Sequence, residues 1–154
     1  LNLFTVVTKI VTCADKSKKG GKEMKSYQLG TFLLRLMLGL TFFIHGLGKF
    51  QSGIDNTVGF FHSMGIPAFF AYAVAVIEFV GGAAMILGFQ TRLIGVLFAI
   101  VMIGAIFTAK SGAGFTGGYE LEVALFVVSL HMILAGSGAY ALDNRLQKPE
   151  EHYS

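Results

Sequence analysis

A chain of 154 residues with 54% hydrophobic and only 14% charged side chains is not an ordinary soluble domain, since those carry about 25% charged residues. One small domain with most of its mass in lipid is the simplest reading. The net charge of +3 carries no basic-aromatic pattern, which excludes a nucleic-acid surface, and the lone Cys13 excludes an intramolecular disulfide and a thiol relay.

Half of the twelve basic residues crowd the start of the chain, as Lys9, Lys16, Lys18, Lys19, Lys22 and Lys25. The first methionine is Met24. Lys19-Gly20-Gly21 back-translates to AAA-GGA-GGT, a ribosome-binding sequence at normal spacing before an ATG at Met24. Residues 1–23 are therefore expected to be a disordered, non-native extension. The alternative is a genuine amphiphilic tail. A signal peptide does not fit, because the lysines follow the short apolar run Leu3–Val7.

Four apolar segments follow, at Leu29–Leu47, Ala68–Phe89, Arg92–Ala109 and Leu121–Ala141. Each is about long enough to cross a bilayer as a helix. They predict an all-α, four-helix transmembrane bundle over residues 24–145, with a polar tail at 146–154. The short turn at Gln90-Thr91 makes spans two and three an antiparallel hairpin. Pro67 suits the first turn of span two. Lys110–Gly118, with its glycines, reads as a loop. Lys25, Arg92, Arg145 and Lys148 collect on one side, against Lys49 and Lys110 on the other. Both termini are therefore expected in the cytoplasm.

The ionisable groups inside these spans are the candidate site. Glu78 stands in the middle of span two, where a carboxylate costs roughly 2.5–3.5 kcal/mol. If the spans end level with one another, the helical rise sets Arg35 ~9 Å and Glu78 ~16 Å from the inner end, with His131 at ~15 Å. His45 and Glu120 then share the outer end with Lys49. Arg35, Phe42, His45 and Lys49 fall in one sector of span one. Glu120 and His131 share a face of span four, and Glu122 points elsewhere. Glu78, Gly81, Gly82 and Met85 form one stripe, whose glycines admit a neighbouring helix or a flat ligand. Arg35 either pairs with Glu78 or snorkels to the headgroups. A further arrangement, one haem between His45 and His131, requires helix tilt to bring the two level.

The motifs R-x₃-G-x₅-HG-x₂-K at 35–49, E-x₂-GG-x₄-L-G-x₂-TR at 78–92, GG-x-E at 117–120 and G-x-G-x-Y-x-L-D at 136–143 resemble the DoxX family. The resemblance covers nearly all of the chain after Met24. Its shared residues are Arg35, His45, Gly46, Lys49, Glu78, Gly81, Gly82, Thr91, Arg92, Glu120 and Asp143; His131 lies outside the pattern. It implies a four-helix protein of the bacterial cytoplasmic membrane, described as an oxidoreductase or as the membrane subunit of a quinone-linked one.

The expected function is an integral membrane component of an oxidoreductase system that handles a quinone or a related small electron carrier. Glu78, His45 and Glu120 are the catalytic candidates, binding carbonyls and moving protons. Arg35, Lys49, Gly81, Gly82, Arg92 and His131 are the ligand-binding candidates. The chain has no flavin, nucleotide or iron–sulfur motif and no metal-ligand set, so electrons come from a soluble redox partner or from bound small molecules. The alternative is a non-catalytic permease or scaffold for a lipophilic solute or partner enzyme. Homo-oligomerisation stays open.

Overall fold

The structure is a computed structural model that describes residues 21–108, 112 and 114–146. The expected extension at 1–23 lies outside these residues except for Gly21, Lys22 and Glu23, which open the first helix. The expected tail at 146–154 lies outside them beyond Leu146.

The described chain is helical, with no strand. Helix α1 spans Gly21–Gln51, α2 Ile54–Ser63, α3 Ala68–Leu87 and α4 Thr91–Phe107. A kinked turn at Phe115–Tyr119, with Gly117 at φ 72°, leads into α5, Glu120–Ala135. A short α6, Leu142–Leu146, follows. Three of these segments, Lys25–Gln51, Ala68–Leu87 and Phe115–Ala135, are long and apolar enough to cross a membrane. Helix α4 is equally apolar and shorter, at 17 residues, or about 26 Å. Together they make the four-helix membrane bundle.

Large apolar side chains cover its outside, among them Leu33, Ile44, Val80, Leu93, Ile100 and Leu134. Water would not tolerate so continuous an apolar surface, but lipid does. The interior is built from Leu38, Phe42, Met85, Ile94, Phe98, Met102, Leu125 and Met132. The Phe42 and Phe98 rings stack at 3.7 Å across its centre.

Glycine sets how closely α1 and α3 approach. A Cβ on Gly82 would lie 2.5 Å from the Phe43 nitrogen, and one on Gly39 would lie 2.9 Å from the Ile86 nitrogen. A Cβ on Gly46 would fall on the backbone of Phe79. The two helices therefore run antiparallel, backbone against backbone, as small residues permit in lipid. Gly82→Ala is expected to force them apart and to destabilise the fold by about 1–3 kcal/mol. A thermal melt in detergent that leaves the midpoint unchanged would reject this contact.

Several boundaries differ from expectation, beginning with the first helix, which runs Gly21–Gln51 rather than Leu29–Leu47. The fourth span stops at Ala135 rather than Ala141, because Gly136, Gly138 and Tyr140 all take positive φ, at 78°, 65° and 53°. The segment between spans one and two contains helix α2, none of whose residues is buried. Pro67 stands one residue before α3, in the N-cap position.

Candidate functional site

Polar side chains gather at two opposite ends of the bundle. At one end the close α1–α3 approach sets Gly46 beside Glu78 and Phe79. Lys49, one helical turn further along α1, then faces the Glu78 carboxylate, and the two form an ion pair through Lys49 Nζ and Glu78 Oε2. Glu78 is 5% exposed. The Lys49 side chain keeps 24% of its surface accessible. Pairing offsets the penalty of holding a carboxylate in low dielectric.

This ion pair borders a cavity of about 160 Å³ that also touches Thr41, Phe42 and His45 of α1, Met102 of α4, and Leu121 and Glu122 of α5. His45 is exposed and Glu122 half-buried. A cation, two carboxylates and an imidazole thus share a small space whose remaining walls are apolar but for Thr41, whose hydroxyl donates to Met37 O. Such a set can hold a carbonyl or phenolic oxygen by hydrogen bonds and exchange protons with it.

Glu122, not Glu120, is the acid of α5 that borders this cavity. Glu120 is exposed and does not border it. The buried face of α5 runs through Leu125, Ser129 and Met132, and Glu122 continues that face one turn earlier at the same 3–4 spacing. The sequence expectation that Glu122 points elsewhere is thus corrected: the helical spacing from Leu125, Ser129 and Met132, rather than from His131, is the pattern that carries it to the cavity.

The glycine stripe beside Glu78 is filled by protein rather than by a flat ligand. Gly82 receives the backbone of α1, and a Cβ on Gly81 would meet the Phe98 ring at 3.0 Å.

Arg35 is fully buried and belongs to the other end. It lies against Gly88, where an added Cβ would come within 2.8 Å of Arg35 Nη1. Gly88 is ten residues from Glu78, or ~15 Å along the helix, so the two do not pair. Arg35 does not snorkel either. Its Nη1 donates to the carbonyls of Ser137 and Ala139, and Nη2 donates to that of Tyr140 at 3.1 Å. The guanidinium also sits 5.2 Å from the Phe32 ring centre. It clamps the irregular 136–141 segment, whose Ser137, Ala139 and Tyr140 carbonyls turn towards it.

Asp143 completes this knot. Its carboxylate accepts from Gln90 N at 2.8 Å and Thr91 N at 3.1 Å, which caps α4 from across the fold. Its own N–H donates to Gly88 O at 3.0 Å. The terminal G-x-G-x-Y-x-L-D motif therefore closes the bundle, with Arg35 as its anchor.

His131 joins this end as well. Its Nε2 is 3.3 Å from Thr31 Oγ1, and its ring meets Tyr27 edge-on at 6.3 Å. It is not level with Glu78 as the helical rise suggested. Thr31 and His45 are fourteen residues apart on α1, or ~21 Å, so one haem does not fit between His45 and His131. Arg92 is exposed, at the edge of a basin at this same end.

The DoxX family profile matches residues 30–111. The chain is 49% identical to the Bacillus subtilis protein named "Putative oxidoreductase CatD" over 119 residues, covering 77% of this chain and 88% of that protein. It is 32% identical over 130 residues to "Uncharacterized membrane protein Rv3486" of Mycobacterium tuberculosis, covering 75% and 80%. It is 27% identical over 127 residues to "Inner membrane protein YqjF" of Escherichia coli, covering 80% and 97%. No solved structure matches the chain. By the family profile and by its identity to the first of these relatives, the chain belongs to the DoxX family.

Proposed function

We propose that this protein is the membrane component of an oxidoreductase system and that its cavity beside Glu78 takes the head of a quinone or a related small electron carrier. The observation that carries the reading is the buried Lys49–Glu78 pair, set in apolar walls with His45 and Glu122 beside it. Quinone reduction takes up protons together with electrons. Lys49 is placed to donate to a carbonyl oxygen, with Glu78 holding its ammonium, while His45 and Glu122 exchange the protons. The name of the Bacillus relative supports the reaction class. The chain offers no electron carrier of its own by motif, so a soluble redox partner supplies the electrons.

The test uses the purified protein in nanodiscs with a short-chain quinone. The quinone is expected to raise the thermal midpoint of the unaltered protein and to lose most of that effect in His45→Asn and Glu122→Gln. Equal stabilisation of all three proteins sinks the proposal.

The same reading sets the protein in the bacterial cytoplasmic membrane with both termini inside. Lys49 is committed to Glu78, which removes one cation from the side opposed to Lys25 and Arg92 and strengthens the charge bias. With Cys13 replaced by Ala, a cysteine at Ser52 is expected to react with an impermeant maleimide from outside the cell. A cysteine at Gln90 is expected to react only after the cells are opened. The reverse pattern would invert the topology.

A further inference from the structure

The Arg35 end carries a second and larger hollow, about 540 Å³, formed where the start of α1, the α3–α4 turn and the segment after α5 converge. It is separate from the Glu78 cavity, and the proposed redox chemistry makes no use of it. Its edge bears Tyr27, Gln28, Gln90, Arg92 and Asn144, a set rich in hydrogen-bond donors.

Its charges are unequal in availability. The carboxylate is that of Asp143, and both of its oxygens already accept backbone N–H groups of Gln90 and Thr91. The cation is Arg92, which is exposed and has no hydrogen-bond or ion-pair partner among the described residues. Its guanidinium lies over Gly136, where an added Cβ would come 3.3 Å from Nε. Arg35 is buried behind the segment that floors the hollow, with its Nη1 and Nη2 bonded to carbonyls. The hollow therefore presents an unpaired guanidinium and neutral donors, with its acid already satisfied. It also lies where the spanning helices end, at the level of lipid headgroups.

We propose that this basin binds the phosphate of an anionic phospholipid. Arg92 takes two phosphate oxygens in its planar fork, and Gln28, Gln90 and the Tyr27 hydroxyl serve the remaining oxygens and the glycerol head. Basic pockets between membrane helices recognise anionic headgroups in this way. With the termini in the cytoplasm the lipid comes from the inner leaflet.

Native mass spectrometry of the full chain released from nanodiscs tests the assignment. Discs of equal parts phosphatidylglycerol and phosphatidylcholine are expected to yield protein enriched in bound phosphatidylglycerol. Arg92→Gln should lower that preference about fivefold, while Arg92→Lys retains most of it. His45→Asn, the variant used in the quinone test, should leave it unchanged, so the lipid site and the proposed quinone site stand or fall separately. A thermal melt with inorganic phosphate in neutral detergent distinguishes a free anion as the source. Stabilisation by phosphate without phosphatidylglycerol enrichment overturns the lipid assignment. Equal retention of both lipids, or a preference that survives Arg92→Gln, overturns it as well.

Discussion

Glu78→Gln is expected to lower the thermal stability of the detergent-solubilised protein sharply, and Lys49→Met on the same chain is expected to restore much of the loss. The two groups form one buried ion pair. Removing the carboxylate strands the ammonium beside Met102 and Leu125 in a low-dielectric cavity. Breaking a buried pair from one side costs on the order of 3–5 kcal/mol. Lys49 retains about a quarter of its side-chain surface, so part of that cost is relieved when its long stem carries the charge towards the mouth. The reverse single change, Lys49→Met, leaves Glu78 without that escape and should cost more. The double variant removes both charges, and its loss should fall well short of the sum of the two singles. A matching cycle between Glu78 and Arg35 should be additive, because Arg35 lies at Gly88, ten residues along α3 from Glu78, and the two have no shared partner. Additivity between Glu78 and Lys49, with coupling between Glu78 and Arg35, would reject the pairing.

The sequence makes much of this bundle legible for physical reasons. Apolar runs long enough for a bilayer have few other uses, so the four spans stand out. An uncompensated carboxylate in the middle of one of them marks Glu78. The stripe Glu78-Gly81-Gly82-Met85 follows from helical periodicity alone, and all four residues are buried.

Relative height is what periodicity does not carry. Setting the spans level at their ends puts Arg35 within reach of Glu78. Helix α1, however, has 31 residues against 20 for α3, and its height is fixed by the contact of Gly46 with Phe79 and of Gly82 with Phe43. That contact carries Lys49 to Glu78 and Arg35 down to Gly88. The segment after Ala135 is equally opaque. Its residues are apolar enough to extend a helix, and only the positive φ of Gly136, Gly138 and Tyr140 turns it into a carbonyl-lined cap. The cap is made by a partner a hundred residues away, which no local pattern shows.

Arg35→Gln is expected to destabilise the protein more than Gly82→Ala does, and to do so by opening the end opposite Glu78. The guanidinium serves the carbonyls of Ser137, Ala139 and Tyr140 at once. These lie in a segment with no helical hydrogen bonding of its own. A fully buried carbonyl left without a donor costs about 1–3 kcal/mol, and these part-buried ones approach that cost together. A glutamine amide is shorter and has two donors, so it cannot serve all three. Arg35→Lys should rescue little, because a point ammonium does not reproduce the planar fork. The damage should spread in a defined direction. The loosened segment carries Asp143, whose carboxylate caps α4 at Gln90 and Thr91, so the first turn of α4 should lose its cap with it. Hydrogen exchange should therefore accelerate at 136–143 and at 90–94 together, while the α1–α3 contact around Gly46 and Gly82 stays protected. If Arg35→Gln instead melts like the unaltered protein and fails only in its response to quinone, Arg35 is a ligand group, and the segment after α5 holds its shape without it.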